Sequence, residues 1–277
     1  MAAQKGQQAV AVAQGTLPQG YDLEDILQDA GAGANNMATG DIGIPYLAVL
    51  QTNSPQVNPG HAKYVEGAQA GMFYNTATGE VYDGRKEGII LIPCAYERKF
   101  VEWKDRDSGE GGFVGEHPIE SNMAAQQTQK NAKGRPCLPN GNMIYETAYQ
   151  YCLLRNPSSG RLEQVVVTLK STMLKKNRRW NNQILSATIP GTNTQAPRWM
   201  FPYLVKTQLE SKGENSWFNI DPERQEEPVS VDEYRMGKEF FTLHAQGLVQ
   251  RAAEPDADAA SEPASDAGKA GDDEIPY

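Results

Sequence analysis

Between residues 72 and 220, short apolar or alternating runs recur between clusters of turn-forming residues, a pattern of strands more than of helices. Met72 to Asn75 and Glu80 to Asp83 flank Thr76-Ala77-Thr78-Gly79 and predict a hairpin. Gly88 to Tyr96 is almost continuously apolar and predicts a buried strand. Arg98 to Lys104 alternates Phe100 and Glu102 against Val101 and Trp103 and predicts another. Tyr145 to Arg155 and Arg161 to Lys170 predict two long strands around the turn Asn156-Pro157-Ser158-Ser159-Gly160. Trp199 to Leu209 and Ser216 to Ile220 predict a further hairpin around Ser211-Lys212-Gly213-Glu214-Asn215. Two helices interrupt the strands. One begins after Ser171 and runs to about Leu185; the other opens on a capping box, Ser230-Val231-Asp232-Glu233, and runs to about Gln250. The sum is a mostly β fold with added helices, a small barrel or sandwich, for which an OB-like barrel with long loops is the expected form.

The flanks read differently. Residues 1–40 are rich in Ala, Gly and Gln, with one short acidic helix predicted from Tyr21 to Ala30, and are expected to be a flexible segment. Residues 252–277 are Ala, Asp, Glu, Pro and Ser with almost nothing to bury, so a disordered acidic tail is expected there. The folded body is then 41–251. Within it, 107–142 is a long polar stretch expected to be a loop, and loops of that length are functional or disordered. No apolar run approaches the length of a membrane span, and the first residues do not read as a secretory signal.

Charge changes this picture more than composition does. The formal net charge is −9. Residues 252–277 hold eight acids and one base, or −7, which leaves only −2 for the rest of the chain. Residues 164–209 contain no acid and carry Lys170, Lys175, Lys176, Arg178, Arg179, Arg198 and Lys206, a block of +7. A second acid-free stretch, 121–145, carries Lys130, Lys133 and Arg135. Screening limits the reach of charge to about 8–10 Å, so a polyanion meets the local block and not the overall pI. Trp180, Trp199, Phe201 and Tyr203 lie among these cations. Cations neutralise phosphates, and aromatic rings stack on the bare bases of a single strand whatever their sequence. Lys175, Lys176 and Arg179 share a helix face by their spacing. In a strand, Trp199, Phe201 and Tyr203 would share one face and Met200, Pro202 and Leu204 the other; one of the two faces is core, and Trp180 is either a stacking ring or a core residue.

Signatures of catalysis are missing. The sequence has no GxxxxGK[ST], no GxGxxG after a strand, no GxSxG and no HExxH. The three Cys (Cys94, Cys137, Cys152) show no CxxC spacing and, with the scattered His117, fit no zinc module. No catalytic residue, metal or cofactor is expected, and unpaired cysteines suit a reducing compartment.

The last six residues, Asp272-Asp273-Glu274-Ile275-Pro276-Tyr277, place three acids before Ile-Pro and a terminal aromatic. This tip resembles that of bacterial single-stranded DNA-binding proteins, with Tyr in place of Phe, and phage single-stranded DNA-binding proteins carry similar acidic tails. The order of a strand into Thr168-Leu169-Lys170-Ser171-Thr172, a Lys/Arg helix with Trp180, and strands ending at Trp217-Phe218-Asn219 also looks like DNA-binding proteins of tailed phages. The resemblance implies a non-enzymatic protein that coats single-stranded DNA in the cytoplasm of an infected bacterium, in replication, recombination and repair. It also implies that the tip recruits replication or recombination partners. The alternatives are an assembly protein whose basic block binds an acidic protein, and a recombination-associated nuclease; the oligomeric state is open.

A tethered segment of −7 reaches a groove on its own domain at a roughly millimolar effective concentration. Deleting 252–277 is therefore expected to tighten DNA binding at low salt and to abolish partner binding. Tyr277→Ala is expected to lose the partner alone. Equal DNA affinity of whole and truncated chains in mobility shifts across a salt series would overturn the competition.

Overall fold

The computed structural model describes residues 43–105 and 112–252. The expected helix at Tyr21 to Ala30, the segment 1–40 up to residue 42, and the acidic tail with its tip at Asp272 to Tyr277 lie outside the described residues.

The fold is mostly β, and every strand pair is antiparallel. The main sheet is built from β4 (Ile89–Lys104), β8 (Met143–Arg155), β9 (Leu162–Lys170), β10 (Tyr203–Lys212) and β11 (Asn215–Arg224), in the order β11-β10-β4-β8-β9. β5 (Gly112–Pro118) lies beside the far half of β4. A small sheet of β1 (Leu47–Val49), β2 (Phe73–Asn75) and β3 (Val81–Tyr82) packs over one face, and β6 (Gln129–Lys130) pairs with β7 (Pro136–Cys137) as a separate ribbon. Two helices complete the body: α1 (Met173–Leu185), joining β9 to β10, and α2 (Val231–Ala245) after β11.

The two strands expected at 88–96 and 98–104 are one 16-residue strand, β4. Its register slips between Pro93 and Ala95. Pro93 has no N–H to give to a ladder, and the bulge absorbs it. The slip also exchanges the faces. Ile89 and Leu91 belong to the core under α1 and the small sheet. Beyond the slip, Ala95, Val101 and Trp103 belong to the opposite core, together with Ile92 and Cys94 from before it. β8 is covered on both faces, so Tyr149 to Leu154 is buried without a break. The second core is closed by Phe240 of α2 and by Ile44 and Tyr46.

Both helices start as expected. α2 has its capping box: Ser230 Oγ accepts from Glu233 N at 3.3 Å, and Glu233 Oε2 accepts from Ser230 N at 2.8 Å. It stops at Ala245 and not near 250, because Gly247 takes φ +70° and lets Leu248 N bond Leu243 O at 3.0 Å, a glycine-terminated helix end.

A closed barrel is not formed: among the described residues no sheet closes on itself. The gap between the edge strands β9 and β11 is spanned by residues 44–51. At one end Val166 N bonds Pro45 O at 2.9 Å and Tyr46 bridges Val166 in parallel. At the other end the Gln51 carboxamide pairs with the β11 edge: Gln51 Nε2 donates to Phe218 O at 2.9 Å, and Phe218 N donates to Gln51 Oε1 at 2.8 Å. Thr207 of β10 ties the same junction, its Oγ1 donating to Gly71 O at 2.6 Å and its N to Gly84 O at 2.7 Å.

Gln51→Leu removes both partners of the Phe218 peptide, and each buried group left unmade costs about 1–3 kcal/mol. The expected result is a urea midpoint lowered by an amount equivalent to about 2 kcal/mol at unchanged slope. An unchanged midpoint would show that the two hydrogen bonds do not hold the closure.

Candidate nucleic-acid interface

β9 delivers the chain to α1 through Ser171, a left-handed residue at φ +52°. α1 then buries Asn177, Trp180 and Ile184, spaced three and four apart, and leaves Lys175, Arg178 and Arg179 exposed on its other side. Lys175, Lys176 and Arg179 do share a flank. Together with Lys212, Glu210 and Trp217 of the β10–β11 hairpin they line a groove of about 1090 Å³. The hairpin projects there because its two-residue turn has Gly213 at φ +61° in the first place, as tight hairpins prefer.

The block that is free of acids in sequence is not free of them in space. Lys176 Nζ lies 3.1 Å from Glu210 Oε1 and 3.9 Å from Asp221 Oδ1. Arg179 Nη1 donates to Asp221 Oδ1 at 2.9 Å. Burial pushes the Glu210 carboxyl up, but hydrogen bonds from Asn219 and Lys176 and the Lys176 charge outweigh it, so Glu210 stays below the usual carboxylate range and ionised. The groove thus presents four cations against one carboxylate on its lining.

The other expected contacts are dispersed. Lys170 lies on the opposite face of the sheet, 5.6 Å from the Trp103 ring and 6.0 Å from the Tyr145 ring. Lys206 sits on β10 in register with Asp221. Arg198 is largely buried: its Nη2 donates to Gln150 Oε1 at 2.6 Å and to Asn181 Oδ1 at 3.4 Å, and burial pulls its pKa down. The aromatic platform is overturned. Trp180 and Tyr203 are core residues with ring centroids 5.9 Å apart, and Phe201 is buried in the same cluster. Trp199 is not in a strand: Arg198–Met200 forms a 3-10 turn, which breaks the alternation, and its ring packs on Tyr234 and Phe241 of α2. Lys212 and Trp217 are the lining residues that charge counting missed. The alternation of Trp217, Asn219 and Asp221 against Phe218 and Ile220 was the signal that could have placed that ring on the hairpin's polar side.

A family model described as Pam3 phage gp34-like protein matches residues 13–250. The chain belongs to that bacteriophage family. Neither a curated protein nor a solved structure matches it.

In this phage protein the stretch expected as a long loop is largely ordered. Besides β5 and the β6–β7 ribbon, it contributes Leu138, which packs with Phe100 and Ile144 and against Ile119 and Met123. Lys130, Lys133 and Arg135 sit on the ribbon and its turn, apart from the α1 groove. Among the described residues no group of His, Cys, Asp and Glu could hold a metal ion, and none of the helices is long and apolar enough to cross a membrane. The ordered stretch is tied down by a buried carboxylate, Glu102. Asn142 Nδ2 donates to it at 2.6 Å and Asn140 Nδ2 at 3.3 Å, and His117 Nε2 lies 2.7 Å away. Burial pushes Glu102 up, and the hydrogen bonds from Asn142, His117 and Asn140 together hold it below the usual carboxylate range. A carboxyl lowered by folding stabilises the fold fully above its unfolded value of about 4.3, and that contribution is lost as pH falls through the lower folded value. Protection of the 112–143 amides, measured as exchange relative to the intrinsic rate at each pH, is therefore expected to fall below about pH 4 in the native protein, and less so in Glu102→Gln. Equal acid sensitivity of the two would remove Glu102 as the cause.

Proposed function

We propose that this phage protein is a non-enzymatic single-stranded DNA-binding protein, coating DNA in replication, recombination and repair. The observation that carries this reading is the groove between α1 and the β10–β11 hairpin. Four cations, Lys175, Lys176, Arg179 and Lys212, line it with Trp217, a spacing of charge and ring suited to phosphates with one stacked base. The order β9-β8-β4-β10-β11, with α1 inserted between the third and fourth of these strands in sequence, adds support. A five-stranded antiparallel sheet whose edges are spanned by residues 44–51 is compatible with an OB-like barrel. Recruitment of replication or recombination proteins would fall to Asp272, Asp273, Glu274, Ile275, Pro276 and Tyr277.

Lys176 is held by Glu210 and Arg179 by Asp221; the test removes three of the four lining cations at once, as Lys175→Ala, Arg179→Ala and Lys212→Ala together. With a single strand each lost phosphate contact flattens the log–log salt slope by about 0.7, so the triple variant should flatten it by about 2. Oligo-dT should quench the emission of the native chain, and less so that of Trp217→Phe. An unchanged slope with unchanged quenching would overturn the groove as the DNA site. Binding of an acidic protein with no response to oligo-dT would favour the assembly reading.

A further inference from the structure

Charge in the groove between α1 and the β10–β11 hairpin changes with depth. The exposed part of the lining forms two rims, with Lys175, Arg179 and Asn182 along α1 and Ser211 and Lys212 along the hairpin. The less exposed part forms the floor, with Lys176, Gln183, Glu210, Trp217 and Asn219. The floor has one cation, and it is neutralised where it stands. The Lys176 side chain is only 18% exposed, and its Nζ lies 3.1 Å from Glu210 Oε1. That carboxylate is held from behind, because Asn219 Nδ2 donates to its Oε2 at 2.9 Å and Asn219 is itself buried. Asp221 Oδ1 stands 3.9 Å from the same ammonium. The floor is therefore neutral, while the rims carry three cations.

The two layers favour different chemistry. A phosphate lowered to the floor would meet Glu210 at the same ammonium, and two anions on one half-buried cation repel each other. Displacing Glu210 instead would also break its bond from Asn219 and leave a carboxylate without partners. On the rims a phosphate meets exposed cations. A base has the opposite preference. It is uncharged, and the floor offers it the Trp217 ring and the uncharged Gln183 beside a neutralised ion pair. A single strand can satisfy both layers at once. A duplex, whose bases face one another, offers the groove only phosphate, and so does a strand without bases. A device that penalises the wrong ligand in this way gives specificity without adding affinity for the right one.

We infer that Glu210 is a specificity-determining residue: by neutralising Lys176 it makes the groove take a strand with bases turned to the floor and phosphates on the rims, and refuse phosphate chains that have no base to offer. The inference rests on the reading of the groove as a single-strand site. The test uses the full-length chain, with labelled oligo-dT and an abasic strand of equal length, in fluorescence anisotropy across a salt series. Glu210→Gln should raise affinity for the abasic strand about tenfold, the scale of a hydrogen bond to a charged group, and steepen its log–log salt slope by about 0.7. The slope for oligo-dT should stay as it is, so that its margin over the abasic strand shrinks. Glu227→Gln removes the same charge at an exposed position outside the groove lining and should do neither. Exchanging the ion pair for a neutral one, Lys176→Met with Glu210→Gln, should return the abasic strand to its native weak binding and leave the oligo-dT slope unchanged. An oligo-dT slope flattened by about 0.7 in that double variant would place a phosphate on Lys176 and overturn the inference, while the single-strand reading stands. Equal gains for both ligands in Glu210→Gln would overturn it in the same way. A native chain that does not bind oligo-dT would overturn the single-strand reading and this inference with it.

Discussion

The gap between β9 and β11 is the constraint on which the rest of the body depends. A curled antiparallel sheet of five strands has two edges, and unpaired edges invite other chains to pair with them. Here both edges are met by one segment, 44–51. It joins β9 through backbone, by way of Pro45 and Tyr46, and β11 through a side chain, Gln51. A primary carboxamide has the same donor and acceptor as a peptide, so a glutamine can stand in for one residue of a missing strand. Leu47, Val49 and Phe73 can then lie in one core with Trp180 and Tyr203. Without that span, α1 would have a floor of strands but no opposing wall, and the groove on its outer flank would lose its fixed depth.

Much of the fold was legible in the sequence because turn chemistry is local. The hairpin at 73–82, the long pair β8–β9 and the start of α2 follow from Gly, Asn, Pro and Ser at particular places. What was not legible depended on partners distant in sequence. Pro93 looked like an ordinary member of an apolar strand, and only pairing with β8 shows that it forces a bulge that exchanges two cores. Arg198 to Met200 looked like strand because apolar and aromatic residues alternate there; tertiary packing on α2 turns it into a 3-10 turn.

The candidate site was legible only in part, for the same reason. Helical spacing correctly grouped Lys175, Lys176 and Arg179, since that depends on one element. It could not show Asp221 and Glu210 arriving from β11 and β10, nor Lys212 and Trp217 facing the helix across the groove. Counting acids along the chain measures distance in the wrong dimension; the field at a phosphate is set by what lies within a Debye length in space. The aromatics failed for a further reason. Trp180 and Tyr203 are large rings in the core under α1, and burial of such area outweighs any gain from leaving them exposed for a ligand.

Arg198 shows how a buried cation can orient a basic groove without lining it. Gln150, fully buried, gives its amide to Asn177 and Asn181 of α1 at 2.8 and 2.9 Å and takes Arg198 at 2.6 Å. Asn177 in turn donates to Tyr96 at 3.1 Å. Apolar packing of Trp180 and Ile184 fixes the depth of α1 but tolerates rotation about its axis. Directional bonds at two positions one turn apart do not, because a rotation that breaks them strands polar groups in a dry interior. Rotation is what would move Lys175 and Arg179 out of the groove. The buried polar cluster therefore sets which flank of α1 faces the hairpin. The exposed cations inherit their direction from an arginine whose own charge is spent on glutamine and asparagine.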